Sequence, residues 1–528
     1  MDAFDGFALK SGTSLSCPHV AGIAVLLKSL HPSWSPAAIR SALTTTASTI
    51  DPSGEPIFTM GDAQTVAGPF DYGGGIVIPN RAADPGLIYD MGMTDSVDYL
   101  CSIGYKYNSS AISALTLQST VCPSKSPSIL DLNLPSITVP NLGASVTVTR
   151  TVTNVGPVDS TYIASVESPL GVQVAVRPQM LVFNSTVKKL SFTVTLSSSH
   201  KSVGGYYIGS LSWSDGIRVS YIVYMGERKH SDPSLVVDSH HTILATVLGG
   251  SKQEAAESIF YSYKHGFSGF AARLTDSHAE MMAEMPDVVD VIPNDLVKLH
   301  TTRSWDYLGL SSSHAASNLL TESNMGDKAI IGVIDSGIWP ESKSFDDKGM
   351  GPIPTRWKGA CVGGDRFNST NCNRKLIGAR WFVKGLLEII KEPINTTAGM
   401  EYLSPRDAGG HGTHTSSTAA GSLVHNVSYK GLALGTARGG APRARLAMYK
   451  VCWETDLGDC SSADILKAFD EAIHDGVDVL SVSLGLGVPY LLDVIAVGSL
   501  HAVLKGITVV CSAGNRGPTS QTVGNVAP

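Results

Sequence analysis

Ser14, Asp335, His411 and Asn515 are the residues of this chain whose types and settings could do chemistry together. Ser14 lies in the small-residue turn Gly12-Thr13-Ser14, which runs straight into the apolar stretch 20–30, the pattern of a loop feeding a buried helix. A serine at a helix N-terminus meets free backbone N–H groups and a partial positive charge. Both favour an oxyanion forming beside its hydroxyl. Asp335 directly follows the apolar run 330–334, and His411 stands in Gly410-His411-Gly412-Thr413-His414-Thr415 ahead of a small-residue helix expected over 416–421. Asn515 follows a strand in Ser512-Ala513-Gly514-Asn515. A hydroxyl nucleophile, an imidazole base, a carboxylate to orient it and an amide to receive negative charge are the parts of acyl transfer. Taken alone, each has an ordinary alternative. Ser14 and Ser16 read as helix caps, Asp335 as a loop residue and Asn515-Arg516-Gly517 as a turn, while His411 and His414 read as a metal pair lacking a third ligand nearby. Their joint presence, with their flanks, favours the catalytic reading.

Open parallel sheets collect reactive groups at the carboxyl ends of their strands. From residue 329 onward the pattern is β/α alternation: strands over 329–334, 477–482 and 507–511, with helices over 463–473 and 491–504. The first of these helices is expected to bury Leu466, Phe469 and Ile473, with Ser462 as its cap and Gly476 as its stop. This predicts a doubly wound parallel sheet in an α/β fold. Residues 1–50 hold the serine loop, its apolar helix and a second helix opened by the cap pair Ser35-Pro36. Residues 51–128 read as ordered loops with a short helix near 96–101. From 129 to 220 the period becomes two, as in Val146, Val148 and Val152 between threonines, then Val172, Val174 and Val176, then Phe192, Val194 and Leu196, then 207–213. Short strands so spaced predict a β-sandwich. Residues 221–300 read as a small α+β unit, with a strand at 221–226, a helix over 239–248, strands within 258–274, a helix over 276–285 and a strand at 288–292.

A chain of 528 residues is too long for one core. With 43% hydrophobic and 16% charged residues and 53 glycines it reads as globular and loop-rich. A net charge of −7 is mild for this size and argues against a nucleic-acid partner. No apolar run is expected to span a membrane. Met1 is followed by Asp2 and Asp5 rather than a basic segment, so no signal peptide is expected at this end. Acceptor sequons at Asn108, Asn184, Asn368, Asn395 and Asn426 point the other way, to a secreted glycoprotein. So do the close pairs Cys361/Cys372 and Cys452/Cys460, whose Gly, Asn and Asp flanks suit disulfides better than zinc. Cys17 and Cys511 lie in apolar contexts and are expected to be buried thiols.

The four motifs with their flanks closely resemble those of the subtilisin-like serine proteases, specifically the cucumisin-like plant subtilases. The family's aspartate motif matches at Asp335, its histidine motif at His411, its oxyanion asparagine at Asn515 and its serine motif at Ser14, with Leu15 where the family usually has methionine. The resemblance implies a serine endopeptidase that cleaves protein or peptide substrates through an acyl-enzyme, without cofactor or catalytic metal. It assigns Ser483-Leu484-Gly485 to the backbone edge that pairs with the substrate's acyl side. It makes 129–220 a fibronectin type III-like domain and 221–300 a propeptide, an intramolecular chaperone and inhibitor cut away between His300 and Thr301. It also implies secretion to the apoplast.

The order departs from the family. Members run propeptide, Asp, His, Asn, protease-associated insert, Ser and sandwich. Here 1–128 carries the serine part of the catalytic domain and 301–528 the Asp, His and Asn part, so the subtilisin-like sheet is expected to be incomplete and split between the chain ends. Two origins give this order. One is a circular permutation that folds as one protease. The other is a head-to-tail join of two subtilase halves, favoured by the sandwich strand that looks cut at Val219-Ser220. The second functional expectation is an inactive fused or truncated homologue whose propeptide domain binds or inhibits other subtilases.

Overall fold

The candidate site motifs gather around one parallel sheet. The computed structural model describes residues 6–51, 55–59, 65–104, 108–116, 119–124, 126–198, 205–215, 219–293, 304–311, 318–397, 400–455, 460–485, 492–517, 519 and 521–527. These fall into two compact units, residues 1–137 with 300–528, and residues 138–299. The expected cut between His300 and Thr301 lies outside the described residues.

In the first unit, strands β1 (Ile330–Asp335), β2 (Leu376–Trp381), β3 (Arg445–Lys450), β4 (Val479–Val482) and β5 (Thr508–Cys511) form a sheet in the order β2-β3-β1-β4-β5. Every pairing in it is parallel. β1 and β3 are buried along their whole length; β1 accordingly reads as an apolar run over 330–334, whereas β3 has the buried charges Arg445 and Lys450 at its ends. The strand order reverses at β1, whose neighbours β3 and β4 come later in the chain. Such a reversal opens a crevice at the carboxyl end of the strand, where Asp335 ends β1.

The helices are α1 (Thr13–Leu30), α2 (Pro36–Thr45), α3 (His411–Ala420), α4 (Ser462–Asp475) and α5 (Val494–Leu504). α1 packs on α3, β4 and β5, so the first residues of the chain are built into the sheet made by the last. It has 18 residues at a mean hydropathy of 1.2, long and apolar enough to cross a membrane by length and composition. This differs from the expectation that no run reaches that length, because the residues from Thr13 to His19 extend the apolar stretch 20–30 into one helix. Here the helix is a core element, burying Cys17 and Ala21 through Leu27. α2 starts as expected, with Ser35 Oγ accepting from the Ala38 N–H at 2.9 Å.

Two helices differ from expectation. α3 begins at His411 itself rather than at 416, with Gly410 as its cap in a left-handed conformation. α4 buries Ile465, Ala468, Phe469 and Ala472, while Leu466 is exposed. An i, i+3, i+4, i+7 stripe one residue earlier wins because it covers the sheet with Phe469 at its centre. The cap position of α4 is Ser461, which makes no capping bond. Asp464 in the first turn instead accepts from the Gly385 and Leu386 N–H groups. Burying a side chain such as Ile330, Phe469 or Leu480 contributes about 1.5–3 kcal/mol, which makes this layer the principal source of stability around the site.

The second unit contains a sandwich and an α+β sheet. Lys189–Ser197 pairs antiparallel with both Ser145–Asn154 and Gln173–Arg177, and Ser160–Glu167 pairs with Met180–Phe183 and Ser210–Ser214. Val148, Val152, Val176, Phe192 and Val194 are buried, as the period of two requires. Tyr207 and Ile208 are exposed and precede their strand, which starts at Ser210. In the α+β sheet, Val219–Tyr224 pairs with Gly269–Leu274 and Asp290–Pro293, and Ile259–Tyr263 lies at one edge. This strand runs through the expected junction at Ser220-Tyr221, with Val219 opposite Leu274 and Ser220 opposite Arg273. Val219 and Ser220 are thus ladder residues of the α+β sheet. A helix at Lys252–Ser258, capped by Ser251, was not anticipated.

Disulfides join Cys101 to Cys122, Cys361 to Cys372, and Cys452 to Cys460. The first of these was not foreseen, since 21 residues separate its cysteines and no close spacing marks them. Cys17 is a buried free thiol, and Cys511 is free and only partly buried.

Candidate active site

Asp335 is 1% exposed at the end of β1, and its Oδ1 accepts from His411 Nδ1 at 2.7 Å. The Ser336 N–H also donates to Oδ1 at 2.7 Å, and Thr415 Oγ1 donates to Oδ2 at 2.9 Å. With Nδ1 turned to the carboxylate, Nε2 is the nitrogen left to receive a proton. The bond to Asp335 raises the His411 pKa above its ordinary value, opposed by burial and by the Lys10 charge. His414, one turn further on, is pushed down to about 4 by burial, Lys10 and His411.

The N-terminus of α3 is held by Asp407, which is 2% exposed. Its carboxylate accepts from Ser336 Oγ, the Gly410 N–H, the Thr413 N–H and Thr413 Oγ1 at 2.6–2.9 Å. Ser336 Oγ in turn accepts from the Gly412 N–H at 2.9 Å. Gly412 permits this closeness, because a Cβ there would stand 2.2 Å from the Gly337 carbonyl oxygen. Below, Lys450 at the end of β3 is fully buried, with Nζ 2.6 Å from Glu401 Oε1 and 2.7 Å from the Arg406 carbonyl oxygen. That bond fixes the segment leading to Asp407.

The nucleophile side is assembled across the chain. Asn515 Oδ1 accepts from the Thr13 N–H at 2.9 Å and from Thr13 Oγ1 at 3.0 Å, across a separation of 502 residues. Thr13 Oγ1 also accepts from the Gly514 N–H at 3.1 Å. Gly12 caps α1 at φ 134°, a conformation that favours glycine, and a Cβ there would lie 3.3 Å from Asn515 Nδ2. The Thr13 N–H is thus taken, whereas the Ser14 N–H, in the first helical turn, has no intrahelical acceptor. Ser483 Oγ donates to the Ser14 carbonyl at 2.9 Å, and Ser14 Oγ lies 3.5 Å from the Ser483 carbonyl oxygen. Among the described residues no hydrogen bond joins Ser14 Oγ to His411. Leu484 O accepts from Asn525 Nδ2 at 2.8 Å, and Gly485 is exposed. Cys17, one turn along α1, donates to the Val510 carbonyl, and burial raises its pKa to about 11.

The structure therefore brings Ser14, Asp335, His411, Asn515 and Ser483 into one unit. Sequence reasoning missed Thr13, Ser336, Asp407 and Thr415. For Thr415 the signal was the i, i+4 spacing from His411 once the helix is started at 411; for Asp407 it was an acid three residues before the Gly410 cap. Among the described residues no group of three or more His, Cys, Asp or Glu side chains could hold a metal ion. Of the sequon residues, Asn108, Asn368, Asn395 and Asn426 are exposed and Asn184 is partly buried. In Asn184, Asn368 and Asn395 the side-chain oxygen accepts from the threonine two residues on.

The unit carries an acid–imidazole pair at a strand end and a serine in the first turn of a helix. The subtilase family model matches residues 4–75 and 326–528, together just over half of the chain. The chain belongs to the subtilase family. A fibronectin type-III domain model matches 131–223, and a peptidase inhibitor I9 model matches 220–300. Subtilisin-like protease SBT3.6 of Arabidopsis thaliana is 59% identical over 323 residues, 60% of this chain and 41% of that protein. Subtilisin-like protease SBT3.8 of the same plant is 57% identical over 316 residues, 58% of this chain and 40% of that protein. The chain thus spans about two fifths of the length of the curated relatives it matches. A solved structure of MycP1 with its N-terminal propeptide removed matches at 17% identity over 37% of this chain and 44% of that one, with a TM-score of 0.21, and no argument rests on it.

Proposed function

We propose that the chain is a serine endopeptidase in which Ser14 attacks the peptide carbonyl and His411 Nε2 takes its proton. Asp335 orients the imidazolium, and the Asn515 amide with the Ser14 N–H receives the oxyanion. The observation that carries this reading is the pair of hydrogen bonds from Thr13 to Asn515, which docks the serine loop against the oxyanion residue. The Ser14 hydroxyl lies by the Ser483 carbonyl oxygen, and catalytic hydrogen bonds are commonly long or unformed before substrate binds. Ser483, Leu484 and Gly485 supply backbone groups for substrate pairing. Residues 220–300, matched by the inhibitor model, act as an intramolecular inhibitor released by a cut between His300 and Thr301. The disulfides and exposed sequons support an oxidising, extracellular setting.

Purified chain should release fragments from an unstructured protein substrate, and Ser14→Ala should abolish the release. A folded wild-type chain with no activity above Ser14→Ala would refute the proposal. In that event, tight inhibition of an active subtilase by the same chain would identify an inhibitory homologue.

A further inference from the structure

Asp335 Oδ1 is engaged by His411 and by the Ser336 N–H, so the second carboxylate oxygen determines how the group is held. That oxygen points at Thr415, which is fully buried, and receives its hydroxyl at 2.9 Å. The same hydroxyl lies 3.1 Å from the Gly412 carbonyl oxygen, the ordinary partner for a helical threonine. One proton cannot serve both fully, and a charged acceptor makes the stronger bond. We propose that Thr415 is a positioning residue for the triad, its hydroxyl fixing the plane of the Asp335 carboxylate and drawing charge away from the oxygen that faces His411. The inference rests on the peptidase reading of the site, but not on its activity being measurable.

The α3 helix places Thr415 one turn after His411 on the same face, so one element presents both the base and the group that tunes the base's partner. Other charged or titratable groups near the pair are Asp407 ahead of the helix, Lys10 before the serine loop, His414 on α3 itself and Cys17 on α1. None of these donates to Oδ2. Without the Thr415 proton, more charge remains on Oδ1, the bond to the imidazolium strengthens, and His411 holds its proton to higher pH.

The test compares Thr415→Val, Thr415→Ala and Thr415→Ser with the full wild-type chain. Removing the donor should lower kcat/KM about tenfold and move its acid limb up by about half a pH unit, while Thr415→Ser stays within about twofold of wild type. The His411 ring is also titrated by NMR, which reads the same upward shift even if Ser14 proves unreactive, so this inference and the peptidase reading can fail separately. Should Thr415→Val misfold, Thr415→Ala reads the shift without adding a branched methyl. A fall in activity with an unmoved acid limb and ring titration, or a Thr415→Ser variant as impaired as Thr415→Val, would overturn the proposal and leave Thr415 a packing residue.

Discussion

The two halves of the site are held in different ways. Around Asp335 and His411 the bonds are dense and join the end of β1 to the segment 401–415 across at most 80 residues, with Ser336, Asp407, Thr413 and Thr415 all tied to one another or to the pair. Ser14 is held by Asn515 through its neighbour Thr13 and by Ser483, residues 502 and 469 positions away. The first half is preorganised within the single stretch 335–450. The second exists only when the two ends of the chain fold together.

This contrast can be broken from either side. The largest expected effect on the local half comes from Lys450→Met, which leaves Glu401 buried without its cation. Loss of one partner of a buried pair costs about 3–5 kcal/mol, to be read as a fall in Tm and in denaturant midpoint. On the long-range half, Asn515→Ala should lower kcat by about two to three decades with little change in KM. That magnitude is the one known for the oxyanion asparagine of a subtilisin, not one derived from this chain. Asp407→Asn sets an amide N–H₂ against donors that now share a carboxylate, and should cost about 1–3 kcal/mol of stability in chemical denaturation. It should also lower the acid limb of kcat/KM, since Asp407 helps raise the His411 pKa.

The gentlest probe is pH itself. His411 must be neutral to act as a base, and its pKa is raised, so activity should rise through a limb above the ordinary imidazole value of 6.5. The sign for stability is opposite. The bond to Asp335 contributes fully below pH 6.5 and fades as pH rises through the raised value, which thermal melts across that window would detect.

The same contrast explains what was legible in the sequence. The unbroken apolar run of β1, the Ser35-Pro36 start of α2 and the Val/Thr alternation of Ser145–Asn154 each follow from local physics, and each was readable. So were Ser14, Asp335, His411 and Asn515 as candidates, because glycine-rich turns and strand ends mark them. Starting α3 at 416 instead of 411 hid the bond from Thr415 to Asp335. On α4, two apolar stripes differ by a rotation of one residue, and only packing against the sheet selects Ile465 over Leu466. The strand Val219–Tyr224 crossed the expected junction because ladder pairing with Gly269–Leu274, not composition, sets its start.

The central claim is that residues from both chain ends form one reactive serine. A fluorophosphonate probe on the folded chain, with mass-spectrometric mapping of the label, tests it directly. The account predicts covalent labelling confined to Ser14 and lost in His411→Ala. A folded chain that stays unlabelled, or one whose Ser14 labels equally well without His411, would contradict it.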